Sequence, residues 1–462
     1  MGLNTLLTLI LCGIPMNKLE EKQQNKSLTM TIVTGFAIFT TLFGAGNFMF
    51  PPTLGMVAGQ SSLLAALGFV VTAVLLPLTG LVGSFLFDGD YKAFFGRLGR
   101  IPGTVLIALC MFIIGPGFVL PRIIHLCYEM LHPFTPWMNL FIFSLVFSCI
   151  TFLLSYRPTK LIDILGRYIT PIKLFFVGAL IVLGFLKGKE LTPSTLSTAE
   201  LFGKSMLEGY GTLDLLGTIF FGSVFLSIIR KNLGATDTHD VRQLAKRGLI
   251  ASLIGGSILA VVYVGMIFLG AYQGAGLEGL NPAQILSAIS IRVVGMNGGL
   301  FAALAFMVAC LATMIALSTV IADYIKTELT GNKLGFIPSL IMILAGGIIF
   351  SLLDLKQLMA YSIGAGFILY PVLIALTLCN VGYKLFGFKP VKIPVALVFA
   401  ITLFSWFGGF QKAKDFLCHE QKSVATEMVA ENGIEKEVVK NGTVEDETIE
   451  DEIVEDDGAS QA

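Results

Sequence analysis

The sequence predicts an all-α integral membrane protein of about 11 transmembrane segments, the first and sixth of them broken. Three observations predict it. Of 462 residues, 55% are hydrophobic and only 13% charged, about half the charge of a soluble domain. Apolar segments run at about 29–56, 62–86, 102–130, 136–155, 168–186, 210–229, 248–272, 298–325, 335–353, 358–380 and 391–411, and most approach the ~20 residues that cross a bilayer core. Two of them are interrupted by glycine in mid-segment. In lipid every backbone N–H and C=O needs a partner, so such an interruption survives only where protein or a water-filled cavity covers it.

Taken in order, residues 1–15 are apolar but too short to span, and without a basic lead they make a poor signal peptide. Met16 opens a polar stretch, Asn17 to Ser27, and is the expected start of translation. Residues 1–28 are thus read as an N-terminal tail, 29–411 as the transmembrane domain and 412–462 as a disordered acidic tail. That tail holds 15 of the chain's 31 acids, from Asp415 to Asp457, so the zero net charge hides a basic remainder. Its repeated Val-Glu-Asp and Ile-Glu patterns cannot bury a core.

Segment one is the first interrupted one. Between Lys26 and Asp88 the chain carries no charge, yet it reads Thr40-Thr41-Leu42-Phe43-Gly44-Ala45-Gly46-Asn47-Phe48-Met49-Phe50-Pro51-Pro52. Segment six is the second, at Thr218-Ile219-Phe220-Phe221-Gly222-Ser223. Paired interruptions in matching places of two halves point to a binding site between them. The connections sort by charge: Lys92, Arg97 and Arg100, then Arg157, Lys160 and Arg167, then Arg230, Lys231, Arg242, Lys246 and Arg247. The alternate connections are nearly bare, which places the N-terminus in the cytoplasm. With 11 crossings the C-terminus emerges outside. Seven scattered cysteines and four histidines, none at ligand spacing, suggest neither a metal site nor a disulfide framework.

Phe43-Gly44-Ala45-Gly46-Asn47 with Phe50-Pro51-Pro52 resembles the first segment of the bacterial branched-chain amino acid:cation symporters, the LIVCS family. The resemblance continues through Gly115-Pro116-Gly117 with Pro121-Arg122, Lys160-Leu161-Ile162-Asp163 with Thr170-Pro171, Gly209-Tyr210 through Asp214 to Phe221-Gly222, and Cys310-Leu311-Ala312-Thr313. It covers roughly residues 28–411 in the same order. It implies the inverted-repeat (5+5) core of the amino acid/polyamine/organocation superfamily, and import of leucine, isoleucine and valine with Na+ or H+ across the cell inner membrane. The family typically has a twelfth segment; none follows Phe410.

For a neutral amino acid as cargo, segment one offers backbone rather than charge. N–H groups of Gly44, Ala45 and Gly46, at the positive end of the half-helix beginning near Asn47, are the expected carboxylate ligands. Carbonyls ending the first half-helix and those near Phe220 and Phe221 are the expected ammonium ligands, with Phe43, Phe220, Phe221, Gly222 and Ser223 around the side chain. Asn47 serves either an ion or the backbone. The resemblance implies an ion site joining the Thr313 hydroxyl and Ala309 to carbonyls of Thr40 and Phe43, although threonines in membrane helices usually bond their own i−4 carbonyl. Sodium and proton both stay open.

Arg122, His125 and Glu129 share one face of segment three and serve as a gate or an interfacial anchor; Asp214, at the start of segment six, is a gate or proton candidate. No nucleophile-base pair, phosphate loop or nucleic-acid stripe is present, so neither an enzyme nor a cofactor other than the coupling ion is expected. The rivals are a permease for another neutral amino acid and a non-transporting or channel-type membrane protein. Partners beyond the bilayer and a small amino acid are not implied, and the oligomeric state is left open.

Overall fold

The computed structural model describes residues 16–156, 170–188, 190–194, 196–233 and 241–406. The expected tails, the untranslated 1–15 and the acidic 412–462, and Lys160-Leu161-Ile162-Asp163 lie outside them. The chain divides into two units, Met1–Thr402 and Leu403–Ala462. Of the second, only the residues ending the helix Lys392–Trp406 are described.

Among the described residues the structure is helical, without strands. Helix α1 (Met16–Leu42) stops at the first break and α2 (Ala45–Ala58) resumes the path. Ser62–Val70 (α3) and Leu76–Leu86 (α4) join through a wider turn at Val71–Leu75. The short α5 (Tyr91–Gly96) starts where Asp90 accepts the Ala93 N–H at 3.0 Å, a normal N-cap. Arg100–Phe112 (α6) and Val119–Leu131 (α7) are offset by a wide turn at Ile113–Gly117, where Pro116 lacks an N–H and Gly115 is non-helical. Then come α8 (Leu140–Ser155), α9 (Thr170–Leu186), α10 (Thr198–Gly211) and α11 (Asp214–Leu233). The last group is α12 (Val241–Gln273), α13 (Pro282–Tyr324), α14 (Phe336–Ser351), α15 (Leu355–Phe386) and α16 (Lys392–Trp406).

Among the described residues five stretches are long and apolar enough to cross a membrane, and the pair α10–α11, bent by 41°, makes a sixth. Five shorter apolar helices accompany them. Sequence reading misplaced two boundaries. It started segment six at residue 210, because Glu200, Lys204 and Glu208 interrupt the apolar run of α10, which in fact begins at Thr198. It also missed that α13 extends back to Pro282, across a bend at Gly295 with φ 75°.

Small residues let the central helices touch, as membrane packing favours. A Cβ on Gly270 of α12 would lie 2.0 Å from the Pro52 carbonyl oxygen, and one on Gly55 of α2 would lie 1.7 Å from that of Ile267. These two helices therefore meet backbone to backbone, and α2 is locked in place just beyond the break. At the basic end, exposed ion pairs join Asp88 to Arg230 and Lys92 to Glu328.

Candidate functional site

The site is built from two interrupted helices. At the first, α1 ends at Leu42 and Gly44 is extended, with φ −103° and ψ −161°. The Asn47 side-chain oxygen accepts the Gly44 N–H at 3.3 Å, and its Nδ2 donates to the Asp214 carboxylate at 2.6 Å and to the Tyr263 hydroxyl. Asn47 thus braces its own break and ties it to the second one, 167 residues away.

The second break is not where the sequence suggested. Thr218 to Ser223 are interior to α11, and the interruption falls at Thr212-Leu213. Leu213 sits at φ 62°, a left-handed conformation that is unusual for a bulky residue. Gly222, read as a breaker, instead admits α4: its Cβ would lie 2.1 Å from the Ser84 hydroxyl oxygen. Phe220 stacks on Phe95, and the Ser223 hydroxyl donates to the Phe220 carbonyl at 3.1 Å. Phe220, Gly222 and Ser223 therefore lie outside the cavity between the breaks; Phe221 lines it. The carbonyl expected free at Phe220 is in use.

The carbonyls set free at the second break are those of Gly211 and Thr212. Arg122 donates to both, at 2.7 and 3.2 Å, as a planar fork can. Only 1% exposed, Arg122 is no interfacial anchor. The Ile113–Gly117 turn shifts α7 so that Arg122 reaches inward to the breaks. Its Nε has no partner. Glu129, on the same helix, points elsewhere and accepts from Asn281 and Gln284 at 3.1 and 3.3 Å, tying α7 to the start of α13. His125 meets the Leu353 carbonyl at 2.8 Å. The three residues do not act as one group.

Between the breaks lies a cavity of about 30 Å³, room for roughly two waters. Its polar wall is Gly44, Gly46, Asn47, Arg122, Thr212, Asp214 and Thr313; its apolar wall includes Ile114, Leu213, Phe221 and Leu317. Arg122 and Asp214 face the same space, and no direct ion pair joins them among the described residues. Opposite charges held apart at bilayer depth are costly unless something pairs with each. Tyr370 donates no charge but its hydroxyl accepts the Leu215 N–H at 3.0 Å, securing the start of α11.

Thr313, on α13, breaks the usual habit of its type. Its hydroxyl is buried and unpartnered, not bonded to the carbonyl of Ala309, and it lies 3.4 Å from where a Gly44 Cβ would be. A buried polar group left unpaired costs ~1–3 kcal/mol. Thr313→Val keeps the shape and removes that cost, so the purified variant is expected to melt higher than wild type. If the hydroxyl serves the ligand or ion, transport falls in the same variant. A lower melting temperature with unchanged transport would make Thr313 a packing residue.

The Thr40 and Phe43 carbonyls, expected to hold an ion, are occupied. Lys173 of α9, 1% exposed, donates from Nζ to the Thr40 carbonyl at 3.1 Å and to that of Phe43. Its ammonium also lies 5.2 Å from the centre of the Phe43 ring. The Thr40 carbonyl is among the last of α1 and that of Phe43 lies just beyond its end, where carbonyls have no intrahelical partner and a helix C-terminus attracts a cation. Ala309 is buried without lining the cavity. Lys173 was missed although it follows the Thr170-Pro171 motif by two residues. The available signal was a lone lysine inside an apolar segment, which marks function by default.

Residues 27–430 match a family described as branched-chain amino acid transport proteins. The chain is 31% identical over 401 residues to the branched-chain amino acid permease BrnQ of Bacillus subtilis, covering 84% of this chain and 88% of that one. It is 33% identical to the branched-chain amino acid transport system 3 carrier protein of Pseudomonas aeruginosa, over 75% of this chain and 80% of the relative. Among solved structures, Mhp1, a nucleobase-cation-symport-1 family transporter in a closed conformation with bromovinylhydantoin bound, superposes with a TM-score of 0.55 at 12% identity, over 81% of this chain and 92% of that one. MhsT in complex with L-phenylalanine gives 0.52 at 14% identity, over 83% and 98%. These two likenesses concern the fold, which is that of a membrane transporter with two broken helices, as expected from the sequence.

Proposed function

The chain belongs to the branched-chain amino acid transport protein family, and from that premise we propose that it carries leucine, isoleucine and valine across a bacterial inner membrane, driven by protons. The observation that carries the substrate reading is the cavity shared by Arg122 and Asp214 across two broken helices. Asp214 is placed for the ammonium. Arg122, with its unpartnered Nε, and the N-terminal end of α2 at Gly46 are suited to the carboxylate, while the Gly44 N–H is taken by Asn47. Leu213, Phe221, Ile114 and Leu317 supply the apolar surface for a branched side chain.

The cavity is smaller than any of these amino acids, so binding requires the half-helices to part. Binding of cargo to both halves then biases the two arrangements, which needs only a difference in affinity between them.

The proton reading rests on Lys173. Protonated, it grips the last carbonyls of α1 from α9; as a neutral amine it loses most of that hold. One proton thereby alters the α1–α9 contact beside the break, at the place where a metal ion was expected. The test is radiolabelled leucine uptake into proteoliposomes under an imposed pH gradient or sodium gradient. Uptake should follow the pH gradient in sodium-free buffer; uptake that follows sodium alone would overturn the coupling.

Selectivity follows from the apolar wall. A pocket of this kind separates ligands differing by one methylene by ~1–3 kcal/mol. Isoleucine and valine are therefore expected to inhibit leucine uptake within about tenfold of leucine itself, and glutamate and lysine not to compete. Inhibition by lysine without inhibition by valine would overturn the substrate assignment.

A further inference from the structure

A second concavity lies away from the breaks, on the outer surface between α6, α15 and α16. It measures about 480 Å³, within the ~300–1,000 Å³ of ordinary ligand sites. Its walls are apolar: Leu98, Val105 and Leu109 on one side, Val372 at the back, Ala396 and Phe399 on the other. Leu98 to Leu109 and Lys392 to Phe399 extend it ~10–16 Å along the helices, at 1.5 Å per residue. The shape is that of a furrow parallel to the bundle. Val105, Leu109 and Phe399 are exposed, so the furrow faces whatever surrounds the protein.

One charge lines it. Lys392 stands at the first position of α16, exposed and without an acidic partner among the described residues. Arg100, at the start of α6, lines the adjoining depression and also lacks one. Arg97 is different: it donates to the Asn380 side chain at 2.9 Å and to the carbonyls of Cys379 and Lys389 at 3.0 and 2.9 Å. It thus fixes the loop before α16 to α15, and Lys392 is the charged residue that lines the furrow itself.

We propose that this furrow seats one acyl chain of an anionic phospholipid from the bilayer, with the lipid phosphate at Lys392. An apolar trough in the hydrocarbon phase loses dispersion contacts unless a chain fills it. A lysine can lay its stem along such a wall while its head stays at the interface. A zwitterionic headgroup offers the same phosphate but offsets it with its own ammonium group, so its net attraction to Lys392 is weaker, and the proposed lipid is therefore anionic.

The test uses the full chain purified in detergent and supplied with phosphatidylglycerol or phosphatidylcholine of the same acyl chains. Lipid retained after washing is counted by native mass spectrometry, and thermal unfolding is recorded alongside. Wild type is expected to retain about one phosphatidylglycerol and to melt higher with it, and to do neither with phosphatidylcholine. Lys392→Gln should lower retention at least fivefold, and Ala396→Trp, which fills the trough, should remove it. Equal retention of both lipids, or unchanged retention by Ala396→Trp, would overturn the proposal. So would a wild-type dimer that Ala396→Trp dissociates, since a second copy would then be the occupant.

Discussion

Lys173→Met is expected to lower proton-driven leucine accumulation about 100-fold or more while leaving the protein in the membrane. The native ammonium donates to the Thr40 and Phe43 carbonyls, and hydrogen bonds to a charged group contribute ~1.5–3 kcal/mol each. Methionine fills a similar volume and supplies neither bond nor proton. Two such losses amount to at least ~3 kcal/mol, hence the hundredfold, at ~1.4 kcal/mol per factor of ten. Leucine counterflow, which needs no ion gradient, separates coupling from folding. If Lys173 carries the coupling proton, counterflow persists to some degree and its pH dependence disappears. Proton-driven accumulation equal to wild type would remove Lys173 from the mechanism.

Gly46 gives the other large effect. A Cβ at this position would lie 2.8 Å from an Arg122 Nη atom and 3.3 Å from the Thr212 Cα. Gly46→Ala therefore displaces the guanidinium from the two carbonyls it caps, and Gly46→Leu occupies the cavity itself. Leucine binding to the purified protein is expected to weaken at least tenfold in Gly46→Ala, ~1.4 kcal/mol or more, and to be undetectable in Gly46→Leu. Gly217→Ala is the control. It lines the same cavity, but its Cβ would meet only the Phe221 ring, at 3.3 Å, so a milder loss is expected. Leucine affinity unchanged in Gly46→Ala would mean that the carboxylate is bound elsewhere.

The first break was legible because glycine, asparagine and a proline pair interrupted a charge-free run. A membrane gives such an interruption only one kind of place to be. The second break was misread because glycine has two uses in membrane helices. At Gly222 it permits close packing on Ser84, while the real interruption is at Thr212-Leu213, preceded by Gly209 and Gly211. The legible sign there is Asp214, a carboxylate opening a helix at membrane depth, which the sequence offers as a gate or proton residue. Arg122 was noticed, but its depth depends on the Ile113–Gly117 turn, and a hydropathy pattern does not show that a helix has been shifted by a wide turn. Lys173 is masked in the sequence by the motif residues Thr170 and Pro171 beside it, and carbonyls that meet an ammonium or a metal ion look alike from the chain that supplies them.

Leu213 carries a consequence for how this protein tolerates change. A side chain with a Cβ held in the left-handed region costs ~1–2 kcal/mol relative to the right-handed one, and glycine pays none of it. Leu213→Gly is thus a substitution that relieves the fold at the hinge of the transport site. It also removes an apolar wall and loosens the joint between α10 and α11. Selection for thermal tolerance and selection for turnover therefore pull this position in opposite directions, a trade-off common where activity depends on a strained element. Isoleucine or valine, branched at the Cβ, would satisfy neither demand. Drift at residue 213 should accordingly be narrow, confined to side chains that are small or not branched at Cβ.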